Sequence, residues 1–108
     1  MTLNELQDIQ PKEIAKGFKA RFVHTKGFTL SFVDVEAGAV LPEHAHIHEQ
    51  TSQVIEGQFE MKIGGKTVLL KPGSVVVIPS NVPHSGRALT DCKIHDVFCP
   101  VREDYRSN

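Results

Sequence analysis

Three histidines at alternate positions, His44, His46 and His48, sit in the segment Pro42-Glu43-His44-Ala45-His46-Ile47-His48-Glu49-Gln50. In an extended strand alternate residues share a face, so two of these imidazoles can converge on one point. Neutral imidazole suits Zn, Cu, Fe and Ni, which makes a divalent transition ion the natural occupant of such a point. A polar, solvent-facing strand end that happens to be histidine-rich is the plainer alternative for this segment taken alone. A fourth histidine, His84, follows Pro79-Ser80-Asn81-Val82-Pro83, residue types that reverse a chain tightly and stiffly. A rigid loop of this kind preorganises a ligand, although a simple proline-rich loop carrying one histidine reads the same way. Near the other end, Ile94, Asp96 and Phe98 share one face by alternation, and Arg102 follows just past Pro100. A carboxylate among apolar inward positions needs a partner, because burying it unpaired is costly. Asp96 therefore reads either as a functional acid or as a surface residue paired with a lysine or arginine.

The elements that must position these residues are short strands cut by Gly, Pro and Asn. Strands are predicted over Lys19–His24, Phe28–Val35, Gln53–Glu56, Gln58–Ile63, Lys66–Leu70, Val75–Ile78 and Lys93–Cys99. Gln58–Ile63 alternates polar and apolar strictly, and Gly64-Gly65 joins it to the next strand as a two-residue hairpin. Val75–Ile78 is apolar throughout, which predicts a strand buried on both faces. Helix-like spacing is confined to the first twenty residues: Leu3, Leu6 and Ile9 up to Pro11, then Ile14-Ala15 before Gly17. Many short strands separated by turns predict a β-sandwich or small barrel.

With 108 residues, 40% of them hydrophobic and 23% charged, the chain reads as one globular domain over residues 1–108. A formal net charge of −1 leaves no basic excess for a phosphate backbone, so no nucleic-acid partner is expected. The longest aliphatic run, Val75-Val76-Val77-Ile78, is far too short to span a membrane. Residues 1–8 carry neither a basic nor an apolar leader pattern, so a cytoplasmic location is expected. Cys92 and Cys99 are seven apart, an odd spacing that points them to opposite faces of a strand and argues against a disulfide.

The spacing extends beyond the histidines. Gly38 precedes His44 by five intervening residues, Gln50 follows His46 after three, and Gly57 follows Gln50 after six. Gly73, Pro79 and His84 form a second block, with five and then four residues between them. Together these blocks resemble the two motifs of the cupin superfamily, over roughly residues 30 to 100. The resemblance implies an all-β fold, the cupin double-stranded β-helix or jelly-roll barrel, here with a short N-terminal extension. It also implies one divalent transition metal ion (Ni, Mn, Fe, Zn or Co) held by His44, His46, Gln50 and His84. Gln50 stands where most cupins have Glu, Asn81 replaces a motif Gly, and Ala88 replaces the final Asn. Asn tolerates the left-handed turn that Gly would serve. Gln50 changes the chemistry, since a neutral amide oxygen leaves the metal its full positive charge and favours work on an anionic substrate. His48 falls on a position that the motif leaves free, so it is expected beside the ligands or at the surface. His24 and His95 have no motif support and are expected as partly exposed strand histidines.

The ending Asp96-Val97-Phe98, Pro100 and Arg102-Glu103-Asp104, taken with His44-x-His46-Ile47-His48-Glu49-Gln50, resembles one group of small cupins. Its members open pectin- and alginate-derived 4,5-unsaturated monouronates into linear ketones. The resemblance implies catalytic roles for Asp96, Phe98 and Arg102, an anionic sugar as the small-molecule substrate, and a homodimer. Two other functions fit a cupin: a non-catalytic sugar- or metal-binding module, and a metal-dependent dioxygenase.

Overall fold

The structure is a computed structural model that describes residues 1–106; residues 107 and 108 lie outside the description. After a 3-10 turn at Leu6–Asp8 come ten strands: β1 (Lys12–Ala15), β2 (Phe18–His24), β3 (Thr29–Val35), β4 (Val40–His44) and β5 (Glu49–Glu56), then β6 (Phe59–Ile63), β7 (Lys66–Leu70), β8 (Val75–Ile78), β9 (His84–Ala88) and β10 (Cys92–Cys99). A single helical turn, α1 (Glu103–Arg106), follows. The strands form two antiparallel sheets, β1-β2-β3-β10-β5-β8 and β4-β9-β6-β7, that close on each other as a jelly-roll barrel.

Alternation decides what lines the barrel. Phe18, Ala20, Val33, Val35, Val54, Ile78 and Ile94 face inward from the larger sheet, and Phe59, Met61, Leu70 and Ala88 from the smaller. Phe18 and Phe59 meet edge to face across the two sheets, with centroids 6.1 Å apart. Each of the larger side chains, Phe, Val, Ile, Leu and Met, stabilises the fold by about 1.5–3 kcal/mol through burial alone. The β5–β6 turn can hold only glycine. Gly57 has φ +88°, and a Cβ there would collide with the Asp91 carbonyl oxygen.

Three expectations change. The helix-like spacing before Gly17 yields only the 3-10 turn and then a strand, because residues 12–15 find a partner in β2 across the turn at Gly17. The Arg21 Nε donates back to the Ile9 carbonyl and ties that extension down. Val75–Ile78 is a strand, but it is the edge of the larger sheet; Val75 and Val77 are each 58% exposed, and Ile78 is buried. An apolar run does not reveal whether a second layer covers the outer face, and here none does. Strands β4 and β9 lay hidden in the motif blocks themselves. Proline, histidine and glycine dilute their alternation. Cys92 is buried and Cys99 exposed, both free, as their odd spacing predicts.

Candidate metal centre

The three metal-site histidines come from two neighbouring strands and the bend that follows one of them. β4 ends at His44, whose Cα partner on β9 is His84. The chain then bends through residues 45–48 before β5 begins at Glu49. His46 and His48 are therefore not on a strand, and it is the bend, rather than strand alternation, that turns His46 toward the other two. The Pro79–Pro83 loop is fixed against this bend. Asn81 takes a left-handed conformation (φ 63°), as its residue type allows, and its N–H donates to the His46 carbonyl at 2.7 Å.

His44, His46 and His84 each offer one ring nitrogen, and the three atoms lie within 4.8 Å of one another. Each Nδ1–H donates to a main-chain carbonyl two residues away: His44 to Pro42 at 2.8 Å, His46 to His48 at 3.0 Å, and His84 to Val82 at 2.9 Å. A carbonyl can only accept, so the proton must sit on Nδ1 and each Nε2 carries a free lone pair. Orienting bonds of this kind accompany metal-bound histidines, since they fix the tautomer and the ring plane. His84 is 1% exposed, and its Nε2 has no hydrogen-bond partner. A buried nitrogen without a partner is costly unless something absent from the protein completes it. Burial lowers the pKa of His46, reinforced by the Arg102 charge and by His84. Burial also lowers that of His84, with smaller contributions from His44 and Arg102. Both shifts favour the neutral, ligating form.

Gln50 is 7% exposed and points Oε1 at the His46 Nε2, 3.1 Å away. With the His46 proton on Nδ1, these are two acceptors facing each other, an arrangement that a shared cation relieves. The donor set, three imidazoles and one amide oxygen, fits a borderline divalent transition ion.

Deeper in the barrel, the Gln50 Nε2 donates to Ser52, and the Ser52 hydroxyl donates to Asp96. Ser52 and Asp96 are direct partners in the β5–β10 ladder. Asp96, which is half-buried, lines a small cavity of about 40 Å³ together with Gln50 and Ser52. Burial pushes the Asp96 pKa up to about 6, against the opposing pull of its bonds from Ser52 and Gln50. It is not the surface ion pair that its sequence context left open. Phe98 lies edge-on to His46, with centroids 5.8 Å apart.

Arg102 is clamped between two rings, its guanidinium carbon 4.7 Å from the Phe98 centroid and 4.1 Å from that of Tyr105. Its Nε and one Nη already fork onto Asp104, at 3.0 and 2.8 Å. This bond holds the Asp104 carboxyl below its usual range. A fork onto a second carboxylate must use the terminal Nη edge that Asp104 leaves open. His48 is half-buried at the rim. Its carbonyl orients His46, and its own Nδ1 is buried without a partner. His24 bonds Thr29 and stacks on Phe22, and His95 lies against Phe32; neither belongs to the histidine cluster.

Sequence reasoning missed Ser52, Tyr105 and the carbonyl of His48. Two signals were present. Ser52 is the next inward position after Gln50, polar where the core should be apolar, and Tyr105 follows Arg102 at the i,i+3 spacing of a helical turn.

Comparison with known proteins gives the family. The Cupin domain family model matches residues 31–98, well over half the chain. The chain belongs to the cupin family. This cupin is 29% identical over 97 residues to the pectin degradation protein KdgF of Dickeya dadantii, covering 87% of this chain and 88% of that one. Among solved structures, KdgF from Halomonas sp. superposes with a TM-score of 0.90 at 28% identity, covering 97% of this chain and 98% of that one. An RmlC-like cupin from Shewanella frigidimarina gives a TM-score of 0.90 at 26% identity, covering 97% and 96%. No helix among the described residues of this cupin is long and apolar enough to cross a membrane.

Proposed function

We propose that this cupin is a cytoplasmic, metal-dependent enzyme that opens a cyclic 4,5-unsaturated uronate to its linear keto form. The observation that carries the reading is the set of three lone-pair nitrogens facing one point, with Arg102 and the half-buried Asp96 nearby. Similarity to two KdgF proteins, one of them named for pectin degradation, supports this substrate class. The substrate is a hemiacetal whose ring oxygen is attached to a C=C bond. Opening the ring moves the hemiacetal O–H proton to the ring oxygen and leaves an aldehyde and an enol. The enol then gives up its O–H proton as the neighbouring carbon takes one, which makes the ketone with no atoms or electrons gained or lost.

His44, His46, Gln50 and His84 would hold a divalent transition ion, which supplies positive charge to substrate oxygens and so stabilises negative charge on them. Asp96 carries the proton, a role suited to a carboxyl group raised toward neutrality. Phe98, beside His46, packs against the sugar and restricts water. Arg102, held rigid by Phe98, Tyr105 and Asp104, receives the substrate carboxylate on its free Nη edge. Arg102→Lys removes that planar edge and is expected to raise KM about tenfold or more with kcat largely kept. An unchanged KM in steady-state kinetics would place the carboxylate elsewhere.

Gln50→Glu adds a negative charge beside the metal. Metal should be retained at least as tightly, while turnover of an anionic uronate falls because the Lewis acidity is partly neutralised. If metal retention and turnover both stay at wild-type values, Gln50 is not a ligand. The reading as a whole is tested by following the vinylic proton of an unsaturated monouronate by NMR. Metal-loaded protein should convert it to the ketone well above the spontaneous rate, and chelator-stripped protein should not. A substrate that binds but is left unchanged indicates a binding module, and oxygen uptake by ferrous-loaded protein a dioxygenase.

We further propose a homodimer formed through the outer face of the larger sheet, where Leu30, Val97 and Val77 align across strands and β8 offers an unblocked edge. Light scattering should give twice the 12.0 kDa chain mass, and a monomer would refute it.

A further inference from the structure

We infer that Ser52 is a positioning residue for the metal centre, fixing which end of the Gln50 amide faces the three histidines. The inference rests on the reading of Gln50 as a ligand. The two ends of an amide side chain differ only in hydrogen-bonding sense, so a neighbour of known sense must choose between them. Ser52 is 3% exposed and has a single hydroxyl proton. That proton goes to the Asp96 carboxylate, leaving the Ser52 oxygen only able to accept. Only the Gln50 Nε2 can then occupy the 2.9 Å contact with Ser52, which leaves Oε1 at the other end, 3.1 Å from the His46 Nε2. The flipped amide would set oxygen against oxygen at Ser52 and turn an N–H₂ group, which has no lone pair for a metal, toward the ligand point.

The ladder explains why these groups meet. Gln50 and Ser52 are i and i+2 on β5, and their partners on β10 are Phe98 and Asp96, so all four share the inner face. In Ser52→Ala the Nε2 loses its 2.9 Å acceptor and keeps only its bond to Asp96, so the amide is held less firmly with Oε1 toward the histidines. Ser52→Thr keeps the hydroxyl, with the adjoining cavity of about 40 Å³ available to its extra methyl group.

The test uses Co²⁺ as the probe on the full chain, with affinity measured by competition against a chromophoric chelator and the visible absorption spectrum recorded. Melting temperatures establish that each variant is folded. Ser52→Ala should bind Co²⁺ about 10- to 100-fold more weakly, the usual loss for a group that orients a ligand. Its spectrum should move toward that of Gln50→Ala, and Ser52→Thr should restore both affinity and spectrum. If Gln50→Ala shifts the spectrum and Ser52→Ala does not, Ser52 has no positioning role while Gln50 remains a ligand. If Ser52→Ala weakens binding and Ser52→Thr fails to restore it, the effect is one of volume and the inference is overturned. If Gln50→Ala itself changes nothing, the ligand reading and the inference fall together.

Discussion

Asp96→Asn is expected to reduce turnover by about 10²- to 10⁴-fold, the usual contribution of a general acid–base group, while metal content stays at the wild-type value. Asparagine keeps the shape of the side chain and still offers an oxygen to the Ser52 hydroxyl, so the Gln50 contact survives. Only the titrating proton is lost. Stability should move the other way. In the folded chain the carboxyl pKa is raised to about 6 from an ordinary 3.8, so its charged form is disfavoured by the fold. Such a group lowers stability as pH rises from about 4 to about 6, and the cost stays in full above that. Metal-free Asp96→Asn should therefore melt above metal-free wild type at pH 7 to 8, with the difference gone near pH 4. A structural Asp96 forecasts the reverse: earlier melting, with activity per folded molecule intact. Turnover and melting temperature measured on one sample decide between the two.

His84→Ala is expected to abolish metal retention under conditions where wild type keeps its ion. Structural zinc sites in small peptides bind with about 10–16 kcal/mol overall near pH 7; on that scale one ligand of four carries roughly 3 kcal/mol, a factor of about 10² in affinity. His84 should show at least this loss, because its Nε2 is buried and has no other partner. His46→Ala should behave similarly. Affinity in wild type should also fall below roughly pH 6, where protons compete for imidazole. Burial lowers the pKa of His46 and His84, so the loss should set in at a lower pH than free imidazole would give. Retention of wild-type metal by His84→Ala would remove it from the ligand set.

The residue types and spacings around His44 and His84 carried the fold and the family, because ligands, turn glycines and loop prolines fall at set intervals whatever the intervening side chains. The way the histidines converge was not legible. Alternation suggested a shared strand face, whereas His46 owes its direction to a bend pinned by the N–H of Asn81, thirty-five positions away. Main-chain hydrogen bonds between distant segments leave no side-chain signature, and the His48 carbonyl, a main-chain acceptor two residues from the ring it orients, leaves none either. The apolar run at Val75–Ile78 showed a strand but not its place at the sheet edge, which depends on strand order. The sequence marks Arg102 as a site residue, but not that Asp104, two residues on, already occupies half of its guanidinium fork.

Everything in the proposed chemistry depends on an ion at the point faced by His44, His46, Gln50 and His84. Elemental analysis of wild-type protein, stripped with chelator, reloaded with a divalent transition metal and desalted, measures this directly. About one ion per chain is the predicted result. A chain that retains no metal after reloading contradicts the account.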